Sequence, residues 1–249
     1  MDFVALLNSV DAAVWGPPMI VLLLGCHVYT TIRTKCIQRK LPLALRLSIT
    51  KDEGSQGDVS NFGAMETSLA STLGTGSIVG VATAILSGGP GAVLWMWLTG
   101  ILGMATKYTE VFAAMKYRVK DARGHMAGGA MHVWEQRYKR PDGTIPWWAK
   151  LAAIWFAIMA CFSIFGIGCA VQTSAITSVV QANFGVEPWI VAAIVCGSAL
   201  LIIVGGLKTV SGICEKLVPL MGGAYILGCL YILVCNHAYL WDSVVTIFE

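Results

Sequence analysis

Forty residues without a charged side chain separate Glu66 from Lys107. Three more uncharged runs follow, of thirty-six, twenty and twenty-five residues, at 151–186, 188–207 and 217–241. An α-helix needs about 20 apolar residues to cross the hydrocarbon core of a bilayer. Charged residues make up only 12% of the chain, too few to cover the surface of a soluble protein of this length. The sequence therefore predicts an all-α, multi-spanning membrane protein.

Six membrane-spanning helices are predicted, at 15–34, 67–87, 90–112, 147–182, 188–206 and 217–236. Residues 3–14 predict a short helix in the outer interface, and 51–58 predict a polar loop. Asn61 is the expected N-cap of the helix that follows this loop. The span that starts at Trp147 is too long for a perpendicular helix at about 1.5 Å per residue, so we expect a steeply tilted helix and an outer loop.

The positive charges lie on one side of these spans. All 17 lysines and arginines fall in the connections 33–66, 107–150 and 207–216 or at the adjoining helix ends. The segments without lysine or arginine are 1–14, 86–92, 181–188 and 236–249. Cytoplasmic loops carry an excess of positive residues. We therefore expect a multi-pass protein of the cytoplasmic membrane with both termini of this chain external.

The chain offers no pattern typical of an enzyme or of a metal or nucleic-acid site. Its eight cysteines form no CxxC pair and no Cys/His cluster at ligand spacing. The basic connector after the first span is interpreted as facing lipid headgroups rather than nucleic acid. Lys107 and Glu110, three residues apart, are expected to pair with each other. We expect no enzymatic activity and no cofactor.

The segment GTGSIVG, residues 74–80, nearly matches the glycine fingerprint of dinucleotide-binding proteins. That fingerprint requires a preceding strand and a βαβ unit, and the third glycine, Gly80, comes one residue late. Two interpretations remain open from the residues alone. The glycines either allow close helix packing, or they break the helix between Leu73 and Ser77.

A broken helix would expose backbone groups that bind ions. Free N–H groups at the start of the second half favour a carboxylate, and free carbonyls at the end of the first half can hold a small cation. Unwound backbone at membrane depth is tolerated only around a cavity or inside protein. This pattern is typical of secondary transporters.

The segment GDVSNFGAMETSLASTLGTGSIVGVATAILSGGPGAVLWMWLTGILGMATKYTEVFAAMKYR resembles the signature region of the alanine/glycine:cation symporter (sodium:alanine symporter) family. WGPPMIVLLLG, FGIGCAVQTSAI and VGGLKTVSGICEKLVPLMGGAYIL extend the resemblance over nearly the whole chain. The resemblance implies an N-terminal helix followed by the first five-helix repeat of an inverted-repeat, broken-helix transporter. Residues 1–58 would hold the interfacial helix, the first span and the basic connector, and 59–249 the first repeat, with its broken helix at 67–87.

The resemblance also implies a set of binding residues around the break. The substrate carboxylate would bind Gly74, Thr75, Gly76 and Ser77, and Gln172 would orient the bound amino acid. A sodium ion would bind the carbonyls of Ala70, Thr72 and Leu73 together with Ser77. Ser77 stands where the family usually has asparagine, and Cys169 and Ser174 replace two further asparagines.

These expectations define a sodium-coupled symporter for a small neutral amino acid of the alanine or glycine type, with sodium as the coupling ion. The family carries a second five-helix repeat that these residues do not contain, so we expect the N-terminal half of a carrier, incomplete or split, with a second-repeat chain as a partner. The alternative is a non-transporting membrane subunit or a degenerate fragment.

The charge distribution yields a labelling test of the orientation. Single cysteines at positions 4, 40 and 121 in a cysteine-free background should react with an impermeant thiol reagent from outside only at position 4. The positive-inside rule places positions 40 and 121 in the cytoplasm. Labelling of position 40 or 121 from outside, with position 4 protected, would reverse the orientation.

Overall fold

The computed structural model describes residues 3–50, 59–121 and 124–248. The polar loop predicted at 51–58 lies outside these residues. The described chain is almost entirely helical, which confirms the all-α fold class. Its α-helices are α1 Phe3–Val14, α2 Pro17–Arg33, α3 Leu41–Ile49, α4 Asn61–Thr72, α5 Thr75–Gly88, α6 Ala92–Lys116, α7 Ala130–Arg137, α8 Trp147–Ser163, α9 Gln172–Phe184, α10 Pro188–Val204, α11 Gly206–Cys235 and α12 Leu240–Phe248.

Short elements connect some of these helices. Single 3₁₀ turns lie at Ile37–Lys40 and His237–Tyr239, and a π-helix, Ile164–Val171, joins α8 to α9. Strands β1 (Val119–Lys120) and β2 (Met126–Ala127) form an antiparallel pair in the connection after α6.

Three helical runs in the described residues are long and apolar enough to cross a membrane: Val4–Arg33, Trp147–Phe184 and Gly206–Cys235. The bent pair α4 and α5 counts as a fourth. The two other predicted spans coincide with helices that fall outside these limits. Helix α10 is apolar but has only 17 residues, and α6, with 25 residues, is long enough but is not among the runs that are also apolar enough.

For the span that starts at Trp147 we expected a tilted helix and an outer loop, but the structure shows one continuous run, Trp147–Phe184. It is helical over 38 residues because the π-helix continues α8 directly into α9. Gly185, in the left-handed conformation with φ 66°, ends the run, and its N–H donates to the carbonyl of Gln181. Only residues 185–187 separate this run from α10.

The helix predicted at 67–87 is two helices. The first begins at Asn61, six residues earlier than predicted. Glu66, which was expected to end the span, lies inside α4 and is buried there. Ser60, and not the predicted Asn61, is the N-cap: its hydroxyl oxygen accepts a hydrogen bond from the N–H of Gly63 at 2.9 Å. The chain breaks at residues 73 and 74, and the axes of α4 and α5 differ by 41°.

Helix contacts bury mainly small side chains. Helix α11 packs along α4, α2 along α6, α7 against α8, and α10 against α9. Ala105, Ala149 and Ala153 are buried, whereas large apolar residues such as Leu201 and Val204 are exposed. Small residues at helix contacts and apolar residues on the outside are typical of proteins whose solvent is lipid.

The contact between α2 and α6 contains a polar cluster. The hydroxyl of Thr106 is hydrogen-bonded at 2.8 Å both to Nδ1 of His27 and to the hydroxyl of Thr30. Thr30 is 8% exposed. This cluster fixes the register of the first span against α6.

We expect Thr106→Val to lower the free energy of unfolding by about 1 kcal/mol, because two interhelical hydrogen bonds are lost and each contributes roughly half that amount in a membrane. Thr99→Val on the same helix is the control, since the hydrogen bonds of Thr99 within the described residues go to carbonyls of its own helix. Thermal unfolding in detergent measures both. Equal stability of the two variants would show that the cluster does not hold α2 to α6.

Candidate functional site

The break between α4 and α5 leaves backbone groups unused. Gly74 is extended, with φ −104° and ψ 172°, and its carbonyl accepts from the N–H groups of Ser77 and Ile78. Within the described chain no hydrogen bond reaches the N–H groups of Gly74 and Thr75 or the carbonyls of Ala70 and Leu73. The predicted break is therefore present, with free donors on one side of it and free acceptors on the other.

The side chain of Gln172 binds donors on one side of the break. It is the first residue of α9, directly after the π-helix. Its side-chain Oε1 accepts a hydrogen bond from the N–H of Gly76 at 3.2 Å and another from the hydroxyl of Thr75. A carboxamide oxygen thus lies at the N-terminus of α5, where the helix dipole and free N–H groups favour negative charge.

Glycine is required for this close approach. A β-carbon on Gly74 would lie 2.8 Å from Nε2 and 3.1 Å from Oε1 of Gln172, and one on Gly76 would lie 3.1 Å from Nε2. A β-carbon on Gly80 would meet nothing within 4 Å. The first two glycines of the segment therefore admit the Gln172 side chain, and the third does not take part.

The acceptor side of the break faces α11. The hydroxyl of Ser77 donates to the carbonyl of Thr72 at 2.7 Å and so connects the two half-helices. A cavity of about 660 Å³ lies between the broken helix and α11. Its walls include Ala70, Leu73 and Ser77 on one side and apolar positions of α11 on the other, among them Val218, Met221 and Tyr225.

The structure brings all eight predicted site residues to one break, on two sides. Gly74, Thr75 and Gly76 face Gln172 of α9, whereas Ala70, Leu73 and Ser77 line the cavity toward α11. Thr72 takes part through its carbonyl. That these residues bind substrate and sodium stays a prediction.

Three features of the region were missed from the sequence. The π-helix that places Gln172 could have been suspected from Gly166 and Gly168, which interrupt an otherwise regular apolar run. Tyr225 in the cavity wall carries no local signal. Glu66 was taken as the charged end of a span, but it is buried inside α4, 4% exposed.

The predicted pairing of Lys107 with Glu110 is confirmed, at 3.1 Å.

An all-α, multi-spanning membrane protein with a helix broken around free donors and acceptors falls in the class of membrane transporters. Comparison with known proteins agrees with that class. The chain matches the sodium:alanine symporter family over residues 1–249. The chain belongs to this family.

Individual relatives are transporters and carriers, in agreement with the expectation that the chain is not an enzyme. The sodium/alanine symporter AgcS of Methanococcus maripaludis is 45% identical over all of this chain and 54% of its own length. An uncharacterized transporter of Haemophilus influenzae is 44% identical over all of this chain and 53% of its own. The amino-acid carrier protein AlsT of Bacillus subtilis is 34% identical over 94% of this chain and 48% of its own. The chain spans about half the length of these relatives.

We expect Gly74→Ala to displace the carboxamide of Gln172, because its β-carbon would overlap the end of that flexible side chain. The N–H of Gly76 then loses its acceptor, and its hydrogen exchange should speed up about two- to tenfold, the value of one net hydrogen bond. Gly80→Ala is the matched control and should leave this exchange unchanged. Equal exchange of Gly76 in both variants would mean that Gln172 does not protect the break.

Proposed function

We propose that this chain forms the substrate and sodium half-sites of a sodium-coupled symporter for a small neutral amino acid of the alanine or glycine type. The observation that carries the proposal is the Gln172 carboxamide oxygen at the N-terminus of α5. A neutral oxygen held by Gly76 and Thr75 occupies the place that a carboxylate oxygen would take with a full negative charge. Membership of the sodium:alanine symporter family supports the same function.

Substrate binding would exchange one oxygen for another. The amino acid's carboxylate replaces Oε1 of Gln172 on the N–H of Gly76 and the hydroxyl of Thr75, and it also reaches the unused N–H groups of Gly74 and Thr75. Hydrogen bonds to a charged acceptor are stronger than those to a carboxamide. The released carboxamide of Gln172 can then donate from Nε2 to the bound carboxylate and fix its orientation.

The sodium ion would bind on the acceptor side of the break. The carbonyls of Ala70 and Leu73 accept no hydrogen bond in the described chain, and the carbonyl of Thr72 lies beside the hydroxyl of Ser77. Carbonyl and hydroxyl oxygens suit a hard cation. A cation here and a carboxylate one turn away attract each other strongly at low dielectric, so each ligand raises the affinity for the other.

The cavity toward α11 favours a neutral substrate. The described residues that line it include no charged side chain, and most of them are apolar, such as Leu73, Val218 and Met221. A charged substrate side chain would lose its hydration in this cavity without gaining a partner. The methyl group of alanine or the hydrogen atom of glycine has no such hydration to lose.

Within this proposal, residues 59–249 form the first five-helix repeat: the α4/α5 pair, α6, the α8–α9 run, α10 and α11. Residues 1–58 add the N-terminal helices and the basic connector. The positive charges then lie in the cytoplasm, and both termini of this chain lie outside.

A chimaera tests the transport function. These 249 residues replace the corresponding segment of the Methanococcus maripaludis symporter, which supplies the rest of the length. Purified and reconstituted in vesicles, the chimaera should accumulate radiolabelled alanine or glycine under an imposed sodium gradient and lose this accumulation when the gradient collapses. A correctly inserted chimaera that binds neither amino acid would contradict the proposal and favour a non-transporting subunit.

We expect Gln172→Ala to weaken amino-acid binding by about 1–3 kcal/mol, because the bound carboxylate loses a donor in a dry site, with a smaller effect on sodium binding. Gln172→Glu should weaken it more, because its own carboxylate would occupy the N-terminus of α5 and repel the substrate. The same variant should raise the melting temperature of the empty protein, since a charged cap replaces a neutral one.

Gln181→Ala, on the exposed part of the same helix, is the control and should bind like the parent. Equilibrium binding of radiolabelled alanine with and without sodium measures all three variants. If both Gln172 variants bind alanine as tightly as Gln181→Ala, Gln172 only holds α9 to the broken helix and does not contact substrate.

A further inference from the structure

Helix α4, which packs along α11, contains a buried glutamate. Glu66 is 4% exposed, and its Oε2 atom is buried without a hydrogen bond in the described residues. Ser211 on α11 is 3% exposed, and its hydroxyl oxygen is buried and unpartnered in the same way. An unpaired buried carboxylate costs several kcal/mol, and a native protein keeps one only where something offsets that cost.

A second carboxylate lies in the same contact. Gly63 and Glu66 are the buried residues of α4, and a spacing of three places them on one face of the helix, one turn apart. A β-carbon on Gly63 would collide with both the Ser211 hydroxyl and Oε1 of Glu215. Oε1 of Glu215 also accepts a hydrogen bond from the Ser60 hydroxyl at 2.8 Å. The Glu215 carboxylate and the hydroxyls of Ser60 and Ser211 therefore lie around Gly63, and Glu66 follows one turn later on the same face of α4.

Among the described residues, no basic side chain forms an ion pair with this group. The ion pairs of the described residues are Lys107 with Glu110 and His132 with Glu135, so neither Glu66 nor Glu215 takes part in one. A proton on one carboxyl group or a small cation between the packed helices would offset the charge. The cation can also use the unpartnered oxygens of Glu66 and Ser211 as ligands.

We propose that Glu66, Ser211 and Glu215 bind a hard monovalent cation, sodium being the probe, at a site separate from the break. Carboxylate and hydroxyl oxygens are the ligands that hard cations prefer. The few oxygens available suit a monovalent ion better than calcium, which takes six to eight oxygen ligands. Glu66 precedes Ala70 by four residues, about 6 Å along the helix, so this cation lies one turn before the acceptor side of the break.

Such a cation would fix the first half of the broken helix to α11. Helix α5 would stay free to adjust on the other side of the break, because Gly63 and Glu66 both belong to α4. This role requires no amino acid, so the site can exist whether or not the chain transports one.

The test is equilibrium binding of ²²Na⁺ to the 249-residue chain in lipid nanodiscs without amino acid. Glu66→Gln should lower the sodium affinity of one class of site about tenfold or more, and Ser211→Ala about threefold or more, because an anionic ligand contributes more than a hydroxyl. Glu110→Gln and Ser198→Ala remove the same groups from exposed positions and should bind like the parent. Ser77→Ala identifies any sodium bound at the break and should leave the Glu66-dependent class intact.

Each other outcome contradicts the proposal. Unchanged sodium binding in both Glu66→Gln and Ser211→Ala, or no sodium binding by the parent, removes the site. Displacement of ²²Na⁺ by calcium at lower concentrations than by sodium would make the site divalent. The outcome of alanine binding in the Gln172 variants does not change the sodium binding that depends on Glu66. The experiments can therefore contradict either proposal without contradicting the other.

Discussion

A backbone N–H or carbonyl inside a membrane must find a partner within the protein, because lipid offers none. The break at residues 73 and 74 leaves several backbone groups without their helical partners. The residues around the break are arranged to supply partners to some of these groups. Gln172 reaches them from α9, two glycines let it approach, and Ser77 connects the two halves. The groups that stay free are those a carboxylate and a cation would use.

Helix α11 gives the broken helix two different neighbours along its length. Beside Gly63 the contact is tight and polar, with Ser211 and Glu215 opposite. Beyond Ala70 the two helices enclose the apolar cavity. The first half of the broken helix is thus held firmly, whereas the second half borders open space.

Charge-free length is a local signal, and it predicted the helical class. Glycine spacing alone left close packing and a break as alternatives, and the resemblance to the symporter family implied the break and the residues around it. The sequence misplaced the start of the broken helix, since a charged residue was taken as the end of a span and Glu66 is instead buried by tertiary packing. It missed the π-helix, for which the glycines Gly166 and Gly168 in an otherwise apolar run were the only local signal. The hydrogen bonds of Gln172 join residues nearly one hundred positions apart, so only the fold could show them.

The central claim is that the N–H of Gly76 receives the substrate carboxylate. Threonine precedes glycine at two places in the chain, Thr75–Gly76 and Thr99–Gly100, so labelling threonine with carbonyl ¹³C and glycine with ¹⁵N selects two amide signals in an NMR spectrum of the protein in nanodiscs. Alanine with sodium should shift the Gly76 signal and leave Gly100 in place as an internal reference. A Gly76 signal that does not move at saturating alanine and sodium would contradict the account.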